Sequence, residues 1–210
     1  MNATPSQIRI LVVDDHPLLR QGIVRLVADQ SDMSLVAEAS NGREAILQFR
    51  AHRPDVTLMD LQMPEMNGLD AIVAIRGEFP EARIIMLTTY DGDVQVLRAL
   101  KAGARAYLLK NLLRKELLET IRAVHAGKKT LSPEVSYQLA EHATDDALTP
   151  AEIAVLRLIA AGNANKHIAD QLSITEETVK GRVKNILSKL GANDRTHAAM
   201  IGLKRGIIEF

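Results

Sequence analysis

Short apolar runs alternate with longer amphipathic stretches throughout the first 128 residues. This alternation constrains the fold strongly, because it is typical of βα units around a parallel sheet. Strands of such a sheet are buried on both faces and therefore read as continuous apolar runs. The pattern predicts strands near 8–13, 33–39, 55–60, 83–88 and 105–109, and helices near 16–29, 43–52, 67–77, 93–102 and 114–127. We expect a doubly wound α/β domain with a five-stranded parallel sheet over residues 1–128.

Carboxylates follow two of these apolar runs. Asp14 and Asp15 close the first predicted strand, and Asp60 closes the third. In open α/β sheets, ligands bind outside the carboxyl ends of the strands, so these acids are expected to share one crevice. Such a cluster repels itself unless a hard cation joins it, and carboxylates with retained waters are the usual surroundings of Mg²⁺. The sequence therefore predicts a magnesium site at this edge of the sheet.

Two further polar residues reach the same predicted edge. Thr88 ends the fourth predicted strand, and Lys110 follows the fifth. Phosphoryl transfer to a carboxylate needs a nucleophile, a metal ion, and a cation or hydroxyl that binds the remaining phosphoryl oxygens. Asp60 stands alone on its strand, whereas the adjacent acids are better suited to hold a metal. Singly, each residue has an ordinary alternative as a helix cap or a solvated charge, but together they favour phosphoryl transfer to Asp60.

The sequence of residues 58–68, Leu-Met-Asp-Leu-Gln-Met-Pro-Glu-Met-Asn-Gly, resembles the acceptor loop of two-component receiver domains. Residues 11–16, 86–90 and 106–110 complete that family's pattern in order, and the resemblance spans about residues 8–127. It implies a flavodoxin-like sheet with strand order 2-1-3-4-5. By the same resemblance, Asp60 accepts the phosphoryl group and also contacts Mg²⁺. Asp15 is then a direct metal ligand, Asp14 holds a metal-bound water, and the backbone carbonyl of Gln62 is a further ligand.

The resemblance also implies a switch. Thr88 and Tyr107 are the expected pair: the hydroxyl moves to the new phosphoryl oxygen, and the aromatic ring fills the vacated space. Lys110 is expected to pair with the phosphoryl group. A phosphoryl group adds about −1.5 to −2 charge units, which a two-state element can convert into a change of packing. Asn111 stands where proline often follows the lysine in this family, so the isomer of the Lys110–Asn111 bond is left open.

Composition excludes several classes of site. The chain has no cysteine among its 210 residues, which excludes disulfides, thiolate zinc sites and cysteine nucleophiles. Its six histidines are scattered without the spacing of a metal-binding pair, so no catalytic or zinc-binding histidine is predicted. The first residues lack the pattern of a signal peptide, and no window approaches the ~18 apolar residues of a membrane span. We therefore expect a cytoplasmic protein with no membrane partner.

The strand pattern ends after residue 128. Residues 129–147 read as an acidic linker with one helical candidate at 133–142, and residues 148–210 read as an all-α domain of four helices. Thr149-Pro-Ala-Glu152 has the form of a capping box and opens the first helix, which runs to 161. The other helices are predicted at 165–172, 175–190 and 196–204. This domain carries nine Lys and Arg against six Asp and Glu, although the whole chain is neutral.

A short helix, a turn at 173–175 and a longer helix form a pattern that places the longer helix in a DNA major groove. One face of that helix is apolar, and the other carries Lys180, Gly181 and Lys184. A solvated basic face is the ordinary alternative. Residues 148–152, 165–169, 178–180 and 189–196 closely resemble the LuxR-type DNA-binding domain. By that resemblance these three residues face the groove, Arg182 adds a phosphate contact, and Lys166 and Thr178 complete the predicted set.

Together the two resemblances identify the chain as a NarL/FixJ-type response regulator. They imply that a sensor histidine kinase phosphorylates Asp60 and that the chain then binds double-stranded promoter DNA as a homodimer, with RNA polymerase as a further candidate partner. Its only catalysis would be its own phosphotransfer and autodephosphorylation. The acidic linker and family precedent predict that the unphosphorylated receiver masks the recognition helix. Small and apolar residues at 198–203 suit either a dimer contact or the core of the C-terminal domain.

Two other functions remain as alternatives. One is a DNA-binding regulator gated by a small molecule or a partner protein, independently of phosphorylation. The other is a Mg²⁺-dependent aspartyl-phosphate phosphatase, which normally carries its nucleophile in an Asp-x-Asp motif on the first strand, whereas Asp14 and Asp15 are adjacent. No motif in the sequence specifies the operator, the cognate kinase, or whether transcription is activated or repressed.

Overall fold

The structure is a computed structural model that describes residues 7–89, 93–131, 136 and 147–208. The chain divides into two compact units, residues 1–89 with 96–136 and residues 90–95 with 137–210. Within the described ranges, no helix is both long and apolar enough to cross a membrane. The same residues contain no cis peptide bond, so the Lys110–Asn111 bond is trans.

The first unit is built on a parallel six-stranded sheet in the order β2-β1-β3-β4-β5-β6. The strands are β1 Ile8–Val13, β2 Met33–Ala39, β3 Val56–Asp60, β4 Ile84–Thr88, β5 Ala106–Leu109 and β6 Thr130–Leu131. The helices between them are α1 Pro17–Ala28, α2 Gly42–His52, α3 Gly68–Glu78, α4 Asp93–Ala102 and α5 Leu113–His125, with a 3₁₀ turn at Lys110–Leu112. The α/β class, the helices and the order of the first five strands are confirmed.

The number of strands differs from the prediction, because β6 lies within the residues predicted as the start of the linker. Gly127 has a positive φ of 86° and ends the segment after α5. The chain then turns back, and the Thr130 amide donates to the Arg105 carbonyl at 2.9 Å, beside β5. A strand of two residues is too short to give a periodic signal. Of the helical candidate at 133–142, only Ser136 is described, and it is helical; the other residues of that candidate lie outside the described ranges.

The core explains why the strand ends are well placed. Every residue of β3, β4 and β5 is buried. On one face of the sheet, apolar side chains of β1 and β3 pack against α1 and α5; the buried members include Ile10, Val12, Val56, Leu58, Ile23, Val27, Leu117 and Ile121. Close packing of this kind holds the backbone in one arrangement. The polar residues at the carboxyl ends of β1, β3 and β5 therefore project from a rigid support.

The described part of the second unit that follows the linker contains the predicted helices, α6 Pro150–Ala160, α7 Asn165–Leu172, α8 Glu176–Leu190 and α9 Arg195–Lys204. The predicted capping box at the start of α6 is present: the Thr149 amide donates to Glu152 Oε2 at 2.7 Å, and the Glu152 amide donates to Thr149 Oγ1 at 3.3 Å. Lys189 of α8 also lies 2.9 Å from Glu152 Oε2. Gly191, with φ of 60°, ends α8. These contacts fix the helix ends that sequence patterns predicted.

The last helix contributes mainly to the core of its own unit. Ala198, Ala199 and Gly202 are buried. A Cβ on Gly202 would lie 2.8 Å from a side-chain carbon of Leu156, so α9 packs closely on α6. Met200 is 65% exposed on the other side. The small residues of α9 thus pack in the core of the C-terminal domain, which is the second of the two roles considered for residues 198–203.

Candidate metal centre and nucleic-acid interface

Strand register brings the predicted acids together. Asp60 is the last residue of β3, and Asp14 directly follows Val13 of β1, which is paired with Met59. Asp14 is fully buried and Asp60 is 3% exposed. Lys110 begins the 3₁₀ turn after β5, and its Nζ lies 2.9 Å from Asp14 Oδ2 and 2.8 Å from Asp60 Oδ2. The lysine therefore bridges two buried carboxylates from different strands.

Burial and the lysine act in opposite directions on the acceptor candidate. Burial raises the pKa of Asp60 to about 6, and the Lys110 ammonium lowers it only in part. Burial also lowers the pKa of Lys110, but its contacts with Asp60 and Asp14 outweigh that effect, and the net change is upward. Lys110 consequently remains protonated near neutral pH. Asp60 is then an ionised carboxylate whose charge is disfavoured by its surroundings and stabilised by any cation that joins it.

The donor set fits a hard divalent cation. Asp14 Oδ2 and Asp60 Oδ2 are buried, and each contacts the Lys110 ammonium. Asp15 Oδ1 is buried too and accepts no hydrogen bond of good geometry. Ligand atoms of these residues and of His16 all lie within 4.8 Å of one another. Three carboxylates face a single lysine, so the cluster keeps an excess of negative charge. Oxygen-rich, negatively charged clusters of this kind are what Mg²⁺ requires.

The loop after β3 is folded tightly around the acceptor candidate. The Gln62 amide donates to Asp60 Oδ1 at 3.4 Å, which places Gln62 at the mouth of the cluster. The Gly68 amide donates to the Leu61 carbonyl at 2.9 Å. A Cβ on Gly68 would lie 2.1 Å from the Asp60 carbonyl oxygen, so only glycine permits this approach. The carboxyl end of β3 and the start of α3 are therefore locked together.

The predicted switch pair lies on the two neighbouring strands. Thr88 is the last residue of β4 and is 1% exposed. Tyr107 lies on β5 opposite Met86, two residues before the strand end, and its side chain is fully buried. The Thr88 hydroxyl thus lies at the same edge of the sheet as the acids, and the Tyr107 ring lies in the interior.

The turn between α7 and α8 forms as predicted. Ser173 adopts a left-handed conformation with φ of 52° and ends α7. Thr175 Oγ1 accepts a hydrogen bond from the Thr178 amide at 3.1 Å and caps α8. The side chains of Val179 and Ile186 are buried on the inner face of α8. The recognition-helix candidate is therefore anchored at its first turn and along one face.

The opposite face of α8 is exposed, as the LuxR-type resemblance implies. Lys180, Gly181 and Lys184 are exposed, and Lys166 of α7 is exposed as well. Arg182 is half-buried. Lys180 Nζ lies 3.5 Å from Glu177, but both side chains are largely exposed, and such pairs contribute little. Lysines of this face are therefore free of strong intramolecular restraint.

Comparison with known proteins decides the family. Residues 10–122 match the response regulator receiver domain, and residues 146–201 match the bacterial regulatory proteins of the luxR family. The chain belongs to the response regulators with a LuxR-type DNA-binding domain. This response regulator is 38% identical over 207 residues to the response regulator protein VraR of Staphylococcus aureus (strain NCTC 8325 / PS 47), covering 96% of this chain and 99% of that protein.

Solved structures agree with this assignment. The response regulator is similar to response regulator ChrA of a heme-sensing two-component system, with a TM-score of 0.58, 34% identity, and coverage of 97% of this chain and 100% of that one. It is also similar to RcsB from Salmonella enterica serovar Typhimurium bound to promoter P1flhDC in the presence of the phosphomimetic BeF3⁻, with a TM-score of 0.74 and 26% identity. That match covers 93% of this chain and 98% of RcsB. The family is one of DNA-binding transcription regulators rather than classical enzymes.

One residue of the response regulator's acidic cluster was not predicted. His16 lies beside Asp14 and Asp15, with Nδ1 2.7 Å from Asp15 Oδ1, whereas the spacing of the histidines predicted neither a catalytic nor a zinc-binding histidine. The spacing between histidines carries no signal for His16, because its neighbours are carboxylates. Its position directly after Asp14-Asp15 was the available signal.

Proposed function

We propose that this response regulator controls transcription through phosphorylation of Asp60 by a sensor histidine kinase. The observation that carries the proposal is the bridge of Lys110 between buried Asp14 and Asp60, since it gathers a nucleophile, a cation and metal ligands at one sheet edge. A carboxylate oxygen of Asp60 forms the new O–P bond while the N–P bond of the kinase phosphohistidine breaks. The kinase imidazole leaves with the electron pair of that bond.

Each neighbour of Asp60 has a distinct task in this proposal. Asp14, Asp15, Asp60 itself and the backbone carbonyl of Gln62 would hold Mg²⁺. The ion, when bound, neutralises the phosphoryl oxygens and so favours attack by an anionic carboxylate. Lys110 pairs with a phosphoryl oxygen and keeps the transferred group oriented.

The phosphorylated state is read by the neighbouring strands. The hydroxyl of Thr88 contacts a phosphoryl oxygen, and the ring of Tyr107, which is already buried in this structure, then packs into the space that the hydroxyl leaves. The buried positions of both side chains support this assignment, because a change at either must be accommodated by repacking. The same site removes the phosphoryl group again by autodephosphorylation, which sets the lifetime of the signal.

The C-terminal unit binds double-stranded promoter DNA in this proposal. Lys180, Gly181 and Lys184 face the major groove from α8, while Arg182 and Lys166 contact phosphates and Thr178 contacts the DNA beside the capped end of the helix. The exposure of the lysines supports this arrangement. RcsB, a similar protein, is bound to a promoter in its solved structure.

The proposal also sets the organisation of the chain. Residues 1–128 form the receiver, residues 129–147 the linker, and residues 148–210 the DNA-binding domain, with β6 formed by the first linker residues. The phosphorylated chain acts as a homodimer in the cytoplasm, where the promoter lies, and RNA polymerase is its further partner.

DNA binding as a function of phosphorylation tests this function. Duplexes are first selected from a random library with the full chain in acetyl phosphate and Mg²⁺, and the affinity is then measured by fluorescence anisotropy at fixed salt. We expect phosphorylated wild type to bind more tightly than unphosphorylated wild type, and Asp60→Asn not to respond to acetyl phosphate. Lys184→Ala serves as the DNA-contact control. Equal affinity of the two wild-type forms would favour gating by a small molecule or partner instead, and turnover of phosphate esters would favour a phosphatase.

A further inference from the structure

The backbone of His16 is fixed on both sides. Its amide donates to Asp14 Oδ1 at 2.8 Å. Its carbonyl accepts from the Arg20 amide at 3.0 Å in the first turn of α1. Pro17 is the first residue of α1, where its fixed φ suits the helix start. The backbone that carries the His16 imidazole is therefore held beside the acids by the β1–α1 connection.

The imidazole lies within the cluster of metal-ligand atoms. Its Nδ1 is 2.7 Å from Asp15 Oδ1 and 3.4 Å from Asp14 Oδ1. Asp15 Oδ1 is nevertheless buried and accepts no hydrogen bond of good geometry, so the short contact is not a well-directed N–H···O bond. The ring itself is 68% exposed and can rotate. The imidazole nitrogen of His16 and the carboxylate oxygens thus lie close together without a well-directed hydrogen bond between His16 Nδ1 and Asp15 Oδ1.

We propose that His16 supplies a nitrogen ligand to the metal centre and thereby shifts its preference from Mg²⁺ toward Mn²⁺. This inference rests on the metal centre of the proposed function. Asp14 and Asp60 are buried, and together with Asp15 they face one lysine, so the cluster keeps an excess of negative charge that favours a further cation independently of His16. Mg²⁺ is held by oxygen ligands and gives up its waters reluctantly, whereas Mn²⁺, a first-row transition-metal ion that also suits carboxylates, accepts an imidazole nitrogen more readily than Mg²⁺ does. A mixed nitrogen and oxygen set therefore discriminates between the two ions.

Pulsed EPR of bound Mn²⁺ detects such a ligand directly. The full-length chain without an affinity tag is labelled with ¹⁵N-histidine, loaded with Mn²⁺ and compared with His16→Gln and with a second variant, His16→Ala. His167→Gln is the matched control, because His167 is exposed on α7 in the other unit. We expect a ¹⁵N coupling in wild type and in His167→Gln, and none in either His16 variant.

Metal affinities supply the second measurement. Isothermal titration gives the ratio of the Mg²⁺ and Mn²⁺ dissociation constants, and the preference for Mn²⁺ should fall about tenfold in His16→Gln. Mg²⁺ binding should change by less than about twofold. An unchanged ratio without nitrogen coupling in wild type would overturn the inference and leave His16 as an ion-pair partner of Asp15. Failure of wild type to bind either ion would instead overturn the metal centre itself.

Discussion

Replacing the acceptor candidate by its neutral isostere should stabilise the metal-free protein. The pKa of Asp60 rises from 3.8 to about 6 on folding, chiefly through burial. A shift of that size corresponds to about 3 kcal/mol of stability lost when the carboxylate is ionised in the folded state. The contribution of Lys110 is already contained in this shift, since its charge acts to lower the pKa. Asp60→Asn should therefore gain up to about 3 kcal/mol at pH 7.5.

The pH dependence of the stability difference distinguishes the cost of ionising buried Asp60 from an effect of side-chain shape. A raised carboxyl pKa means that the folded chain binds the proton more tightly, so wild type loses stability relative to Asp60→Asn as the pH rises through the range from 3.8 to about 6. The free energy of unfolding of Asp60→Asn should exceed that of wild type by about 1.5 kcal/mol at pH 5. The difference should vanish below the pKa of Asp60 in the unfolded chain. Above about pH 6, Mg²⁺ should reduce this stability difference, because the ion binds folded wild type more tightly than folded Asp60→Asn and so stabilises wild type more.

Urea unfolding of the full chain in EDTA measures this difference. Hydrogen exchange of peptides from β1 and β3 reports on the first unit separately from the second. Asp29→Asn, at an exposed aspartate after α1, is the control and should change stability by less than about 0.5 kcal/mol. A lower stability of Asp60→Asn than of wild type at pH 7.5, or an equal gain in stability at pH 4 and pH 7.5, would show that burial of the Asp60 charge does not destabilise the fold.

Three further outcomes follow from single contacts. Burial raises the pKa of Glu152, but its hydrogen bonds with Thr149 and its ion pair with Lys189 outweigh burial, so the net change of the pKa is downward. Glu152→Gln should therefore lower the free energy of unfolding in urea by about 1.5–3 kcal/mol at pH 7. The loss should become smaller as the pH falls through the lowered pKa, because wild type then loses the same contribution. Gly68→Ala should lower stability by about 1–3 kcal/mol in thermal unfolding, whereas Gly77→Ala, with open space around its Cβ, should not. Lys184→Ala should reduce the salt slope of DNA binding by about 1; an equal effect of exposed Lys204→Ala would contradict a specific role.

The acidic cluster was readable from the sequence because strand burial and strand ends leave strong local signals. An apolar run followed by a carboxylate placed Asp14 and Asp60, and parallel pairing of β1 with β3 required them to meet. The capping box at Thr149 and Glu152 and the glycine after α8 were equally local. These features depend on residues within a few positions of one another, so one sequence suffices to predict them.

Features set by tertiary approach were not readable in the same way. The two residues of β6 form a strand only because β5 offers a free edge beside them. His16 joins the acids through the direction of its side chain, which spacing does not specify. Arg182 is half-buried because of its angular position between the inner and outer faces of α8. The partner that decides β6 comes from a distant part of the sequence, whereas His16 and Arg182 depend on the direction in which each side chain leaves its own segment.

Phosphorylation of Asp60 is the step on which the proposed function depends. Intact-protein and peptide mass spectrometry after incubation with acetyl phosphate, with and without Mg²⁺, tests it most directly. We expect one added phosphoryl group on wild type, located on Asp60, dependent on Mg²⁺, and absent from Asp60→Asn. A wild-type chain that binds Mg²⁺ but acquires no phosphoryl group, or a group that persists in Asp60→Asn, would contradict it.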